Sequence, residues 1–162
     1  MEKPLVLLSK IVHANPWYKV RHDRLVWPNG TPGEYFVTEL PSSAMIICKR
    51  DEEILMIHQF RHPIQRRTLE FPGGRCDGDE HPLETAKREL REETGIEGTN
   101  WAHLGTTYAA TGIAHGHNEV YLANMEREGT PSFDDYEQQT DVQKEWVSLN
   151  DIPARLREGQ IL

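Results

Sequence analysis

The stretch that decides the fold covers residues 74–96 and reads GRCDGDEHPLETAKRELREETGI. Pro82 suits the first turn of a helix, where a missing backbone N–H costs little, and Gly95 suits the position just after a helix ends. Between them, apolar residues recur at steps of three and four, the spacing of one helix face that packs on a core. The stretch therefore predicts a helix of about three to four turns that begins at Pro82 and ends before Gly95.

Three glutamates lie on this helix at a spacing that places their carboxylates on one face. Glu92 and Glu93 follow Glu89 by three and four positions, and like charges at that spacing repel each other. A hard divalent cation such as Mg²⁺ reverses this effect, because it binds carboxylate oxygens. A plain solvated acidic face is the alternative for any three helical glutamates, so the residues upstream decide between the two interpretations.

The upstream residues complete a longer pattern. Gly74 is followed after five residues by Glu80, and after seven more by Arg-Glu-Leu-x-Glu-Glu-x-Gly-Ile at residues 88–96. These match every fixed position of the Nudix box, so the chain resembles the Nudix hydrolases. The resemblance implies a loop–helix–loop that binds Mg²⁺ or Mn²⁺ and hydrolyses a diphosphate linked to another group. It also implies the α/β/α Nudix sandwich with a mixed sheet, a fold of the α/β class.

The resemblance assigns roles to residues in and around the box. In the family, the positions of Glu89, Glu92 and Glu93 supply most metal ligands, and the backbone carbonyl at the Gly73 position adds a further contact. Gly73 replaces the more usual alanine, which we interpret as a mild change. The base that activates water often comes from a loop before the last strand, with Glu93 in the box as the other candidate. The expected catalytic residues are Arg88, Glu92, Glu93, Glu137 and Asp141, the last two being the loop candidates.

Length, composition and charge narrow the class of protein. A chain of 162 residues with 37% hydrophobic and 27% charged residues has the size of one globular domain. The net charge is −8 without a long basic run, which argues against a nucleic-acid partner. Neither a membrane-spanning run nor a signal-peptide pattern occurs. Cys48 and Cys76 indicate neither a zinc site nor a disulfide framework, so we expect a cytoplasmic protein with no membrane partner.

Strand patterns flank the box on both sides. Residues 1–41 predict an N-terminal antiparallel β-meander, with Asn29-Gly30 as its second turn. We interpret this meander as an extension of the same domain that serves dimerisation or substrate contact, and residues 42–162 as the Nudix hydrolase domain. Residues 126–140 are polar and irregular, which predicts a mobile loop. Further strands are expected at residues 44–48, 54–61, 101–109, 119–123 and 145–149, with a short helix at 151–156.

Residues ahead of the box resemble one subfamily. Gln59-Phe60-Arg61, about a dozen residues before Pro72-Gly73-Gly74, is similar to a region of ADP-ribose and nucleoside-diphosphate-sugar pyrophosphatases. That subfamily forms intertwined dimers through an N-terminal meander, so the resemblance implies a homodimer. Arg61 would contact phosphate, since a guanidinium matches phosphate oxygens in pairs; a surface arginine is the alternative. The expected substrate contacts are Arg61, Glu70, Glu119, Trp17 and Tyr18, and the two aromatic residues either stack on a base or pack in an interface or core.

One departure from the subfamily pattern affects the substrate. ADP-ribose specialists usually carry a segment like Ser-Pro-Gly after the box, where this chain has Ala110-Thr111-Gly112. The difference leaves room for other nucleoside diphosphate sugars, including GDP-mannose. Two alternatives stay open: a hydrolase of nucleoside triphosphates or dinucleoside polyphosphates, and a non-catalytic regulator with a Nudix fold.

Overall fold

The computed structural model describes residues 2–161, apart from the side chains of Asp135 and Tyr136. The chain divides into two compact units. The first contains the chain up to Ser42 together with Thr107–His117, and the second contains Ser43–Thr106 and the chain from Asn118 onwards. In chain order the elements are β1 (Leu5–Ala14), β2 (Lys19–Val26), β3 (Pro32–Glu39), β4 (Ser43–Arg50), β5 (Glu53–Arg61), a 3₁₀ turn (His62–Ile64), β6 (Arg66–Glu70), β7 (Gly73–Arg75), α1 (Pro82–Thr94), β8 (Ile96–Thr107), β9 (Ala114–His115), β10 (Asn118–Glu128), α2 (Asp135–Thr140), β11 (Gln143–Ser148) and α3 (Ile152–Arg157).

The first unit is a four-stranded sheet in the order β1-β2-β3-β9. Its first three strands are antiparallel neighbours, as the sequence predicts, and β9 pairs with β3 in parallel. The turn between β2 and β3 contains Gly30 with φ +84°, a left-handed conformation that favours glycine. Every residue of β1 is exposed, including its leucines and valines.

The second unit contains a seven-stranded mixed sheet. Its main path runs β11-β5-β4-β10-β8, with β6 paired to β5 and β7 paired to β4. The β4–β10 pair is parallel, whereas β5 is antiparallel to β4, β6 and β11. Helix α1 packs on this sheet through a buried cluster, which consists of Ala44, Ile46, Cys48, Leu55, Ala86, Leu90, Ile96 and Tyr121. In the described residues, no helix is long and apolar enough to cross a membrane.

Helix α1 begins and ends where its sequence signals predict. His81 caps its start by accepting a hydrogen bond from the Leu83 N–H, and Pro82 occupies the first turn. Gly95 ends it in a left-handed conformation with φ +73°, donating its N–H to the Arg91 carbonyl. The predicted helix is therefore confirmed over Pro82–Thr94.

The segment predicted as a loop at residues 126–140 differs from that expectation. Strand β10 continues to Glu128, and Asp135–Thr140 form α2. This six-residue helix is too short to show an apolar periodicity in the sequence. It begins in a capping box, because Asp134 accepts from the Glu137 N–H while the Glu137 carboxylate accepts from the Asp134 N–H.

Candidate active site

Three buried glutamates from two helices form an acidic cluster. Glu89 and Glu93 project from α1, and Glu137 projects from α2. Each offers one carboxylate oxygen, and these three atoms all lie within 4.8 Å of one another. The residues are 9%, 5% and 9% exposed, respectively. The acidic cluster thus joins two predicted metal ligands of the box to one of the two predicted loop bases.

Strand β7, which begins with Gly73 and Gly74, brings backbone close to the α1 glutamates. The Gly73 N–H donates a 2.8 Å hydrogen bond to Glu93 Oε2. A Cβ on Gly74 would lie within 3.0 Å of both carboxylate oxygens of Glu89. A Cβ on Gly73 would clash with the Ala44 carbonyl oxygen on β4, so this backbone does not accommodate the alanine that is more usual there. The interpretation that the change is mild for a carbonyl ligand stays a prediction. Close approach requires glycine at both positions.

The carboxyl groups of the acidic cluster favour their protonated forms. Burial raises the pKa of Glu89 from 4.5 to about 7, although the neighbouring Arg88 acts in the opposite direction. Burial also raises the pKa of Glu93 well above its ordinary value, against the hydrogen bond from Gly73. The pKa of Glu137 is raised by burial as well, against the hydrogen bond from the Asp134 N–H. Burial thus opposes ionisation of all three carboxyl groups.

The donor set of the acidic cluster suits a hard divalent cation. It consists of closely spaced carboxylate oxygens, the ligand type that Mg²⁺ and Mn²⁺ prefer over nitrogen or sulfur. Burial is the main cause of the raised pKa values, repulsion from neighbouring carboxylates adds to it, and a cation would offset both. The residues present therefore fit a divalent metal, as the box predicts.

Arg88 connects the loop of the box to α1. Its Nη2 donates to Glu80 Oε2 at 2.9 Å and to the Arg75 carbonyl at 3.2 Å. Its Nη1 donates to Glu89 Oε1 at 2.8 Å and to Glu92 Oε2 at 3.1 Å. The Arg88 guanidinium, together with other hydrogen bonds, lowers the pKa of Glu80 to about 2. Arg88 thus holds the loop against the helix and orients one member of the acidic cluster.

Glu92, the third box glutamate predicted as a metal ligand, is not part of the acidic cluster. Its side chain is 34% exposed and is held by Arg88. Its backbone carbonyl accepts a hydrogen bond from the Ser132 N–H, which ties the segment ahead of α2 to α1. Helical spacing alone did not distinguish it from Glu89 and Glu93, because the distinction depends on where α2 lies.

Arg61 and Glu70, both predicted to contact substrate, form an ion pair across β5 and β6. Arg61 Nε and Nη2 donate to the two Glu70 oxygens at 2.9 Å and 2.6 Å. Burial opposes ionisation of Glu70, but hydrogen bonds from Arg61 and from Thr68 bring its pKa below the ordinary value. The pair places a guanidinium and a carboxylate side by side in the second unit.

Asp141, the other predicted loop base, lies at the end of α2 and outside the acidic cluster. Its side chain is 64% exposed and accepts from Arg67 Nη1 at 3.0 Å. Arg67 Nη2 also donates to the Asp141 carbonyl at 2.7 Å, and Gln143 donates to its carboxylate at 2.8 Å. Of the two loop candidates, the fold brings only Glu137 into the cluster.

Glu119 lines a cavity rather than the acidic cluster. One of its oxygens lies 2.6 Å from His103 Nε2 and 3.0 Å from Thr106 Oγ1. The cavity has a volume of about 490 Å³. It is lined by His81, Pro82, Leu83, Trp101, His103, Glu119 and Tyr121.

Trp17 and Tyr18 lie in the first unit, in the turn between β1 and β2. Their N–H groups donate to Asn15 Oδ1 at 2.8 Å and 2.9 Å, which fixes the turn. Trp17 is 66% exposed and Tyr18 is 39% exposed. Both rings present aromatic surface to solvent, and their contact with a substrate stays a prediction.

Several contacts around the acidic cluster were not predicted from the sequence. Asp134 caps α2, and the Asp-x-x-Glu spacing of residues 134–137 is a capping-box signal that could have revealed this. Gln59 and Thr140 are buried and joined by a hydrogen bond. No local pattern signals that pair, because its members are 81 positions apart.

Comparisons with known proteins identify two families. The chain matches the NUDIX domain over residues 39–161 and the nucleoside diphosphate sugar hydrolase N-terminal domain over residues 6–38. It is similar to the ADP-ribose pyrophosphatase of Mycobacterium tuberculosis, with 31% identity over 95% of this chain and 75% of that protein. It is also 34% identical to the ADP-ribose pyrophosphatase of Bacillus subtilis, over 59% of this chain and about half (52%) of that protein.

One further relative and one solved structure are also similar to the chain. A CMP-5'-(N-acetyl-N-hydroxy-3-aminopropyl)phosphonate hydrolase of Streptomyces rubellomurinus is 29% identical over 94% of this chain and 73% of that protein. In fold, the chain is similar to the crystal structure of an ADP compounds hydrolase, with a TM-score of 0.82, 20% identity, and coverage of 97% of this chain and 84% of that one. These comparisons confirm the predicted family, fold and enzyme class. The chain belongs to the Nudix family and is a hydrolase.

Proposed function

We propose that the protein hydrolyses the diphosphate bond of a nucleoside diphosphate sugar, ADP-ribose or a similar compound such as GDP-mannose, to a nucleoside monophosphate and a sugar phosphate. The acidic cluster carries the proposal for the reaction, because its buried carboxylates can hold Mg²⁺ or Mn²⁺. The match of residues 6–38 to the N-terminal domain of nucleoside diphosphate sugar hydrolases supports the substrate class. The two ADP-ribose pyrophosphatases among the relatives point the same way.

The residues in and around the acidic cluster have different proposed roles in the reaction. When bound, a divalent cation would supply electrostatic stabilisation of the charge that develops on the leaving phosphate. Glu89 and Glu93 would supply carboxylate ligands, with Glu92 and the Gly73 carbonyl as further proposed ligands. Arg88 would hold Glu89 and Glu92 in place through its two short hydrogen bonds.

Glu137 is the better candidate for the general base. It lies within the acidic cluster, where it can accept a proton from a water that attacks phosphorus in line. Asp141 is held by Arg67 outside the cluster. Glu93 is already proposed as a metal ligand, and its Oε2 accepts a hydrogen bond from the Gly73 N–H. Burial raises the pKa of Glu137, which moves it towards the operating pH of a base.

The remaining proposed substrate contacts come from residues outside the acidic cluster. Arg61 would bind a phosphate oxygen and Glu70 would keep it oriented. Trp17 and Tyr18 would stack on the base, and Glu119 would contact the substrate from its cavity. These roles extend the proposal from the reaction to the recognition of its substrate.

We also propose that the protein is a homodimer in which residues 1–41 extend the hydrolase domain of residues 42–162. Strand β1 supports this, because an exposed apolar strand is typical of a surface that packs on a partner. Its most exposed apolar side chains belong to Leu5 at 65% and Leu7 at 61%. Cytoplasmic location stays a prediction from the sequence.

Steady-state hydrolysis of a substrate panel tests the proposed function. The panel holds ADP-ribose, GDP-mannose, UDP-glucose, a dinucleoside polyphosphate and the nucleoside triphosphates, each with Mg²⁺ and with Mn²⁺. We expect a diphosphate sugar to be preferred. Activity confined to triphosphates or dinucleoside polyphosphates would reject the substrate class, and failure to hydrolyse any of them would favour a non-catalytic regulator.

Two substitutions in the same assay test the base. Glu137→Gln should lower kcat by about 10²–10⁴-fold with little change in KM, because general base catalysis contributes that much. Asp141→Asn is the matched control and should stay near the wild-type rate. A near wild-type rate for Glu137→Gln, with activity lost in Glu93→Gln, would transfer the role to Glu93.

A further inference from the structure

Helix α2 depends on tertiary contacts for its position. It has only six residues, Asp135–Thr140, and an isolated helix of that length is unstable in water. The carboxylate of Glu137 therefore stays in the acidic cluster only if neighbouring elements hold α2 there. The contacts at the two ends of α2 identify which residues do so.

Two consecutive hydrogen bonds hold the C-terminal end of α2 against β5. They lead from Gln59 through Thr140 to the Glu137 carbonyl and together form what we call the buried relay. Gln59 Nε2 donates a 3.1 Å hydrogen bond to Thr140 Oγ1, and Thr140 Oγ1 donates at 3.3 Å to the carbonyl of Glu137. Gln59 is 3% exposed and Thr140 is 9% exposed. A buried amide or hydroxyl strongly favours keeping a hydrogen-bond partner, so the relay resists displacement of α2.

The rest of the α2 segment is fastened at more exposed points. At its N-terminal side, the Ser132 N–H donates to the Glu92 carbonyl of α1 at 2.9 Å, and the capping box orients Glu137. At its C-terminal side, Arg67 binds Asp141, but both side chains are more than a third exposed. Exposed ion pairs contribute little, so the buried relay is the stronger anchor.

We infer that Gln59 and Thr140 are positioning residues that hold Glu137 in the acidic cluster, an inference that rests on the proposed role of Glu137 as the base. Neither side chain needs to touch the substrate. Their effect reaches the reaction through the carbonyl of Glu137 and the helix that carries its carboxylate. Displacing a catalytic group by about 1 Å can lower a rate by about 10²-fold, so loss of the relay should reduce turnover rather than substrate binding.

Substitutions at Thr140 test this inference with a matched pair. Thr140→Val keeps the shape of the side chain and removes the hydroxyl, whereas Thr140→Ser keeps the hydroxyl. With ADP-ribose and Mg²⁺, we expect Thr140→Val to lower kcat by about ten-fold or more with KM within about two-fold, and Thr140→Ser to recover most of the rate. Gln59→Leu should resemble Thr140→Val. A wild-type kcat for both Thr140→Val and Gln59→Leu would overturn the inference.

Two further measurements separate this inference from the proposed function. In a Glu137→Gln background, Thr140→Val should cause no further loss of rate, because both changes act through one carboxylate; an additional ten-fold loss would overturn the inference. The N–H groups of Gln138 and Val142 donate to the carbonyls of Asp134 and Glu137, respectively. Their amide hydrogen exchange should accelerate in Thr140→Val and not in Thr140→Ser. Unchanged exchange would refute the anchoring, whereas a wild-type rate for Glu137→Gln would refute the proposed base.

Discussion

Gly74→Ala should disable the site while leaving the fold nearly intact. The Cβ of the new alanine would point at the carboxylate of Glu89, 2.8 Å from Oε2 and closer still to Oε1 and Cδ. Gly74 does not have the positive φ that favours glycine, so alanine fits its backbone. The collision is with the end of a flexible side chain, which can rotate away without moving a strand.

The distances around Gly74 determine how much Gly74→Ala should change kcat and the free energy of unfolding. Ordinary contact begins at 3.4 Å, so the carboxylate has to move by about 1 Å. Such a displacement would take Glu89 away from Glu93, Glu137 and the guanidinium of Arg88. A misplacement of about 1 Å can lower a rate by about 10²-fold, and we expect kcat to fall by that order. The free energy of unfolding should change by less than about 1 kcal/mol, as for a surface substitution.

Kinetics and chemical denaturation of three variants would check this reasoning. Gly112→Ala, where a Cβ meets nothing within 4 Å, is the matched control and should behave as wild type. Gly73→Ala should destabilise the fold by about 1–3 kcal/mol, because its Cβ meets the rigid backbone of Ala44 and Met45. Wild-type kcat in Gly74→Ala would refute the proposed role of Glu89, and strong destabilisation would refute the view that its side chain moves freely.

Two further predictions concern pH and assembly. Because the folded-state pKa of Glu89 is about 7, above its ordinary 4.5, its contribution to the stability of metal-free protein is present below pH 4.5 and is lost as pH rises through 7. The Tm with chelator should therefore fall between about pH 4.5 and 7, and the Tm gain from added Mg²⁺ should grow over the same range. A flat profile that Glu89→Gln does not alter would contradict this. Light scattering should give about twice the 18.7 kDa chain mass, and Leu7→Lys should shift the protein towards monomer; a monomeric wild type would reject the dimer.

The box and its helix could be predicted because their signals are local. Pro82 and Gly95 limit α1 within one short stretch, and the spacing of Glu89 and Glu93 places both carboxylates on the same side. The structure agrees because α1 buries the same face that carries Leu90. Where short-range spacing determines the geometry, the sequence was sufficient.

The third member of the acidic cluster, which joins Glu89 and Glu93, could not be predicted with the same certainty. Glu137 and Asp141 are four residues apart in a polar segment, and both were equally plausible as a base. The structure separates them because α2 ends at Thr140, which leaves Asp141 in a left-handed conformation with φ +52° and bound to Arg67. A helix of six residues gives no periodic signal, so the distinction depended on tertiary contacts.

The way the acidic cluster is assembled links catalysis to the docking of α2. Two of its carboxylates belong to α1, and the third arrives on a helix that does not hold itself in place. Ionising all three in a buried space repels α2, while the relay through Gln59 and Thr140 retains it. A cation held by Glu89 and Glu93 would offset that repulsion, because its positive charge favours the ionised form of the neighbouring Glu137. Metal binding at Glu89 and Glu93 should therefore favour the placement of Glu137 beside them, because the cation offsets the repulsion that opposes the docking of α2.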